Sequence, residues 1–153
     1  KYNHISLGYN YRMMNLQGAI GRVQLQKLEG FTSRRIANAA VLSREIRAKG
    51  LTTPYESQGV RHVYHQYVLR IEDDAPASRE RLMQYLESKG IASAVHYPKA
   101  VYEQPLYQGL GYEKGICPTA EDVARRVLSL PVHPSLSAEE LHYIAMAVNS
   151  FEG

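Results

Sequence analysis

From Asn15 to Lys49 the chain carries no proline, and Gly50 follows where a left-handed helix stop is expected. A proline-free run of this length leaves its whole segment open to helix, which a proline inside it would have broken. Within it, Leu16, Ile20 and Val23 form one apolar stripe, and Leu28, Phe31, Ala39, Leu42 and Ile46 form a second, with Gly30 between them. The spacing predicts two consecutive helices or one long bent helix. The first dozen residues, polar and aromatic, read as loop.

Beyond Gly50 the period changes. From Arg61 to Ile71 the residues alternate: Val63, His65, Tyr67, Leu69 and Ile71 share one face, which predicts a strand. Ser78 is a candidate N-cap for a helix that buries Leu82, Met83 and Leu86 and stops at Gly90. Ile91 to His96 predicts a second strand, and Pro98 to Pro118 an ordered loop with a short helix. Thr119 is expected to cap a helix through about Val127, before a short buried strand, Leu128 to Pro131. Ser137 and Glu140 form a capping box for a last helix lined by Leu141, Ile144, Ala145 and Val148. The order predicts an α/β fold: an N-terminal helical section followed by a small two-layer α/β sandwich. Residues 1–153 are read as a single lobe, with loop plus long or bent helix over 1–50 and a small α/β domain over 61–153.

Charge and composition exclude several classes. The net charge of +3 comes from 18 basic and 15 acidic residues that are interleaved rather than clustered, which argues against a nucleic-acid partner. The longest apolar runs, such as Ile144 to Val148, are too short to span a bilayer, so no membrane partner is expected. Cys117 is the only cysteine; it offers no disulfide framework and no zinc cluster, reads as a buried or half-buried inert thiol, and fits a reducing, cytoplasmic setting. Twelve Tyr against two Phe and no Trp favour partly wet clefts and interfaces. Lys1 to Ile5 do not read as a signal peptide, and without an initiator Met the chain is expected to begin in mid-protein.

His62 and His65, three apart in a strand, would face opposite ways, so no shared metal is expected; His65 reads as a hydrogen-bonded core histidine. Two clusters invite a sharper reading. Gly8-Tyr9-Asn10-Tyr11-Arg12-Met13 stands immediately before a helix, and Asn and Arg beside a helix N-terminus both donate to phosphate or carboxylate. His96-Tyr97-Pro98-Lys99 stands at the end of a strand, where polar groups often face a ligand crevice. From chemistry alone each cluster reads either as a ligand site or as local capping and packing.

At these residues the chain resembles the DegT/DnrJ/EryC1/StrS family of sugar aminotransferases, which are fold-type I pyridoxal-phosphate enzymes. The words that carry the resemblance are Gly8 to Met13, Leu16 to Gly21 with Gln24-Leu25 and Lys27-Leu28, and Val95 to Pro98. Leu128 to Pro131, His133-Pro134 and Ser137 with Glu140 continue it. They occur in family order along nearly the whole chain. The resemblance implies that Asn10 reaches the partner subunit's cofactor phosphate across a dimer interface. It also implies that Arg12, His96 and Tyr97 hold the sugar of a nucleotide-sugar substrate, with Arg12 suited to a uronic-acid carboxylate. There are two departures. Tyr102 stands where family members usually carry a second His. The family's cofactor lysine and the carboxylate that pairs with the pyridine nitrogen lie upstream in the large domain, and Lys1, Lys27, Lys49, Lys89, Lys99 and Lys114 are not in that lysine's context.

The resemblance therefore implies the C-terminal part of a homodimeric aminotransferase that moves an amino group from an amino acid to a keto-sugar nucleotide, in amino-sugar synthesis for cell-surface polysaccharide. This chain alone is expected to supply no catalytic residue, to hold pyridoxal 5'-phosphate unstably or not at all, and to be inactive by itself. The rival expectation is a stand-alone, non-catalytic remnant that binds a ligand or a partner, and behind it a purely structural module.

Overall fold

The computed structural model describes residues 5–152; the expectations for residues 1–4, Lys1 among them, lie outside the described residues. Residues 5–14 carry no regular structure, as their composition predicts. One helix then runs from Asn15 to Glu45 (α1, 31 residues) straight through Gly30. The choice between two helices and one thus falls to one, about 45 Å long at 1.5 Å per residue. It stops earlier than expected, because Ile46 is already extended. Asn149 closes the end: its Oδ1 accepts from Arg47 N at 2.7 Å and its Nδ2 donates to Glu45 O at 2.8 Å. Gly50 is therefore no helix stop. It has φ +70° in the turn into β1 (Leu51–Thr52), where a Cβ would lie 2.3 Å from Ala75 Cα. Only glycine fits there.

The predicted strand over 61–71 is halved, to β2 (Tyr67–Ile71). Upstream of Tyr67 the backbone leaves the ladder. Tyr64 takes φ +46° and donates its N–H to His62 Nδ1 at 2.9 Å. The carbonyls of Tyr64 and His65 accept from Arg35 Nη1 at 3.3 and 3.2 Å. Side chains thus take the hydrogen bonds that a neighbouring strand would have supplied. The alternation loses its phase at this point: Tyr67, Leu69 and Ile71 are buried as expected, but upstream Tyr64 is buried while Val63 and His65 are exposed. His65 is not a core histidine, and the opposite-faces argument for His62 and His65 loses its strand.

The sheet has three antiparallel strands in the order β1-β2-β3, with Leu51 opposite Ile71 and Tyr67 opposite Leu130. β3 (Val127–Leu130) is buried at every position, as expected for the short run before Pro131. The second strand predicted at Ile91 to His96 shrinks to a single bridge, Ala94 to Ser129. Ile91 N–H is still bonded to Leu86 O at 2.9 Å, so the segment spends its first residues leaving a helix rather than pairing.

That helix, α2 (Arg79–Ser88), starts as predicted: Ser78 Oγ accepts from Arg81 N, and Leu82 and Leu86 are buried. The 98–118 loop carries a 3-10 turn (Val101–Glu103) and a short helix, α3 (Pro105–Gly109). The next helix, α4, spans Pro118–Arg126 and is preceded by Cys117, not capped by Thr119. Pro118 suits the first helical position because its φ is already set and its missing N–H is not needed there. Cys117 is exposed rather than buried. The last helix, α5 (Ala138–Asn149), has the predicted box, with Glu140 N donating to Ser137 Oγ at 3.2 Å and Ser137 N to Glu140 Oε2 at 2.8 Å. Ala39 and Leu42 of α1, Ile46 just past its end, the buried face of β2, Leu128 and Leu130 of β3, Leu82 and Leu86 of α2, and Leu141, Ile144, Ala145, Ala147 and Val148 of α5 belong to one apolar cluster. The fold is the α/β arrangement the sequence predicts: a small sheet with helices packed on it behind a helical N-terminal section. Among the described residues no helix is long and apolar enough to cross a membrane.

Candidate functional site

The two clusters singled out in the sequence stand in different places. Asn10 and Arg12 line a depression of about 500 Å³ at the start of α1, with Tyr11, Met13, Met14 and Gln17. Met14 occupies the N-cap and has no oxygen to offer. Gln17 Oε1 accepts from Met14 N at 2.8 Å, but no side chain accepts from the first-turn N–H groups of the helix itself. An uncapped N-terminus keeps its partial positive charge and its unspent donors. Beside it Asn10 and Arg12 are exposed. An amide, a guanidinium and first-turn N–H groups are a donor set that suits a phosphate or carboxylate.

His96 and Tyr97 follow the bridge at Ala94. His96 Nδ1 lies 3.2 Å from Ser129 Oγ, and Ser129 is buried in the middle of β3. The two aromatic rings meet edge to face with centroids 5.8 Å apart, and Tyr97 is 73% exposed. His96 lines a second depression, of about 310 Å³, with Arg35, His65, Gln66, Ser129 and His133 around it. Tyr97 lies outside that lining, and no residue is shared with the depression at Asn10 and Arg12. Within one chain, then, the sequence-predicted residues fall into two groups: Asn10 with Arg12, and His96 with Tyr97 at its rim.

Sequence reasoning missed Arg35, His65 and His133 as neighbours of His96. Arg35 sits on a helix face with no motif around it. His65 reads as core on the expectation of a strand that in fact begins only two residues later, at Tyr67. For His133 the signal was available, since Pro131 and Pro134 bracket it and force the chain off β3 into a loop. Its carbonyl accepts from Asn38 Nδ2 at 2.9 Å, which ties that loop to α1.

Tyr102 uses its hydroxyl internally. It lies 2.8 Å from Glu121 Oε1, and Cys117 N donates to it at 3.1 Å. Burial, followed by the hydrogen bond to Glu121, pushes its pKa up. It pins the 98–118 loop onto α4. A larger depression, about 570 Å³, lies between the end of β2, α2 and α4, but its charges cancel locally. Arg126 reaches both Asp73 and Asp122 at 2.8 Å, and Glu72 and Glu80 balance Arg79 and Arg125. Among the described residues no group of three or more His, Cys, Asp or Glu is placed to hold a metal ion.

The model of the DegT/DnrJ/EryC1/StrS aminotransferase family matches residues 1–149. The chain is 39% identical over 154 residues to the pleiotropic regulatory protein of Geobacillus stearothermophilus, covering 99% of this chain and 40% of that protein. It is 34% identical over 152 residues to the dTDP-3-amino-3,4,6-trideoxy-alpha-D-glucose transaminase of Streptomyces venezuelae, covering 99% and 39%. Its fold superposes with a TM-score of 0.85 on the crystal structure of S. venezuelae DesV in complex with a ketimine intermediate, at 33% identity, covering 97% of this chain and 39% of that one. The chain thus spans about two fifths of the length of the relatives it matches.

Proposed function

Because this chain belongs to the DegT/DnrJ/EryC1/StrS aminotransferase family, we propose that it is the C-terminal lobe of an aminotransferase that passes an amino group from an amino acid to a keto-sugar nucleotide. The observation that carries this reading is the uncapped start of α1 beside Asn10 and Arg12, a phosphate-fitting donor set that its own chain leaves exposed. That family's enzymes depend on pyridoxal phosphate. When bound, the cofactor supplies the electron sink that carries the amino group between donor and ketone.

This chain's residues bind and orient. Asn10 donates its amide to the cofactor phosphate of a partner subunit, in a homodimer whose sites are completed across the interface. Arg12 offers a two-pronged contact to an acidic sugar, and His96 and Tyr97 each offer a single hydrogen bond to the sugar's oxygens. The separation of Asn10 and Arg12 from His96 within one chain fits a site assembled from two copies. A cytoplasmic setting and a role in amino-sugar supply for cell-surface polysaccharide complete the reading.

Two substitutions in the full-length protein test it. Asn10→Ala weakens cofactor retention, read by equilibrium dialysis of pyridoxal phosphate, whatever the sugar. Arg12→Ala lowers kcat/KM for a uronic-acid keto-sugar by about 2–4 kcal/mol more than for its neutral counterpart. Equal losses on both sugars make Arg12 structural or a phosphate ligand. The isolated chain mixed with pyridoxal phosphate is expected to show no absorbance of a lysine-bound cofactor beyond that of the free one, and no turnover; stoichiometric attachment at one lysine of this chain contradicts the division of labour.

A further inference from the structure

We propose that the depression around His96 is a binding subsite for a phosphate-type oxyanion, the diphosphate of a nucleotide-sugar. Its charge makes the first argument. The lining holds one guanidinium, Arg35, and three imidazoles, His65, His96 and His133, and no carboxylate. The larger depression at α2 and α4 gathers three arginines but matches them with four acids. The lining around His96, like that around Asn10 and Arg12, is left with its positive charge and donors unbalanced.

The second argument is orientation. Arg35 Nη1 donates to the carbonyls of Tyr64 and His65, which fixes the plane of the guanidinium. Among the described residues its Nε and Nη2 make no hydrogen bond within the chain. A guanidinium held on one edge and open on the other is prepared for a phosphate oxygen pair. His96 is held in the same manner: Ser129 Oγ occupies Nδ1 and leaves Nε2 for a ligand. With the Ser129 hydroxyl as donor, the neutral ring carries its proton on Nε2 and donates it outward. Gln66 adds an amide at the rim.

Size is the third. About 310 Å³ is at the small end of ligand sites, enough for a diphosphate and its waters but not for a sugar and a base as well. His96 then stands at the joint, with the sugar on the Tyr97 side and the diphosphate on the Arg35 side. The anion chemistry stands on the lining alone; naming a nucleotide-sugar as its source rests on the function proposed above.

The test is made on this chain by NMR of its histidine rings, titrated separately with inorganic pyrophosphate, UDP and glucuronate. Pyrophosphate and UDP are expected to shift the signals of His65, His96 and His133 with Kd near about 1 mM, corresponding to roughly 4 kcal/mol, and glucuronate to shift neither His65 nor His133. Arg35→Gln weakens pyrophosphate about tenfold. Because Arg35 also holds the 64–65 backbone, His133→Gln is the second variant: it removes a ring that makes no hydrogen bond within the described chain and weakens binding about threefold. No shift with pyrophosphate, shifts with glucuronate alone, or unchanged affinity in both variants overturns the site. The two proposals separate cleanly. A full-length protein that transaminates a keto-sugar nucleotide while this chain ignores pyrophosphate sinks only the subsite. Pyrophosphate binding here with no sugar transamination there keeps the subsite and removes the nucleotide-sugar as its source.

Discussion

The two halves of α1 share one unbroken helix and live under opposite conditions. From Thr32 onward the helix is part of the core: Asn38, Ala39 and Leu42 are buried, Asn38 holds the His133 loop, and Ser43 Oγ lies 2.9 Å from Tyr67 Oη. Before it, Leu16, Ile20, Val23 and Leu28 are 68, 55, 48 and 54% exposed, and the loop ahead adds Ile5, Leu7, Tyr9 and Tyr11. Helix propensity does not distinguish the halves; packing does. A helix of about fifteen residues alone in water is marginal, so the first half leans on its continuity with the docked second half. Its apolar spacing is a pattern written for burial that this chain alone does not provide.

The sharpest way to break that contrast is to make the same cut in each half. Leu42→Ala removes a side chain with no exposure and is expected to cost about 2–5 kcal/mol. Leu28→Ala, the same change on the bare half, is expected to move stability by no more than about 0.5 kcal/mol. Urea unfolding of both variants decides it. Equal losses would mean that the bare half is covered in solution by something that contributes to folding.

The same contrast explains how much of the molecule was legible in the sequence. Where one local rule and one packing rule agree, the reading held: the Ser137–Glu140 box starts α5, Ser78 starts α2, and the Leu82 and Leu86 stripe is buried. Where a long-range side chain intervened, it failed. Alternation from Arg61 promised a strand, and Arg35, 29 and 30 residues away, took the carbonyls of Tyr64 and His65 instead. Period two records what a segment is able to do, not which partner reaches it first. The candidate site divides in the same manner. Asn10, Arg12, His96 and Tyr97 were visible as words, and so was His133 with Pro134 but not its place beside His96; Arg35 and His65 were not, because only the fold brings them to His96.

Next in size is an effect of pH on the packed half alone. Burial raises the Tyr67 hydroxyl to about 12, although the hydrogen bond to Ser43 opposes the rise. The unfolded chain releases this proton near the ordinary value of about 10. The folded pKa is the higher one, so the stabilisation is complete below pH about 10 and is lost as pH rises towards about 12, amounting to roughly 1–3 kcal/mol. Tyr67→Phe removes that slope, at a neutral-pH cost of about 1 kcal/mol for the lost bond to Ser43. Unfolding midpoints measured across this pH window for both proteins check the sign. A Phe variant with the wild-type slope would assign the alkaline loss to other groups.

The smallest effect on folding is expected where the largest effect on association lies. Ile20 and Leu28 are eight residues apart on the bare half, two turns along one face. A contiguous apolar surface of this kind favours self-association, and the chain is expected to sediment as a dimer or larger species. Ile20→Glu with Leu28→Glu places two charges on that face without entering the core. The melting midpoint of the folded domain should stay within the shift that about 0.5 kcal/mol produces, while sedimentation moves towards monomer. If the double variant instead unfolds, the bare half is a structural part of the domain and the division drawn along α1 is wrong. If the wild-type chain is already monomeric at high concentration, the face does not pair copies of this lobe, and the remaining three fifths of a full-length relative's chain becomes the surface that covers it.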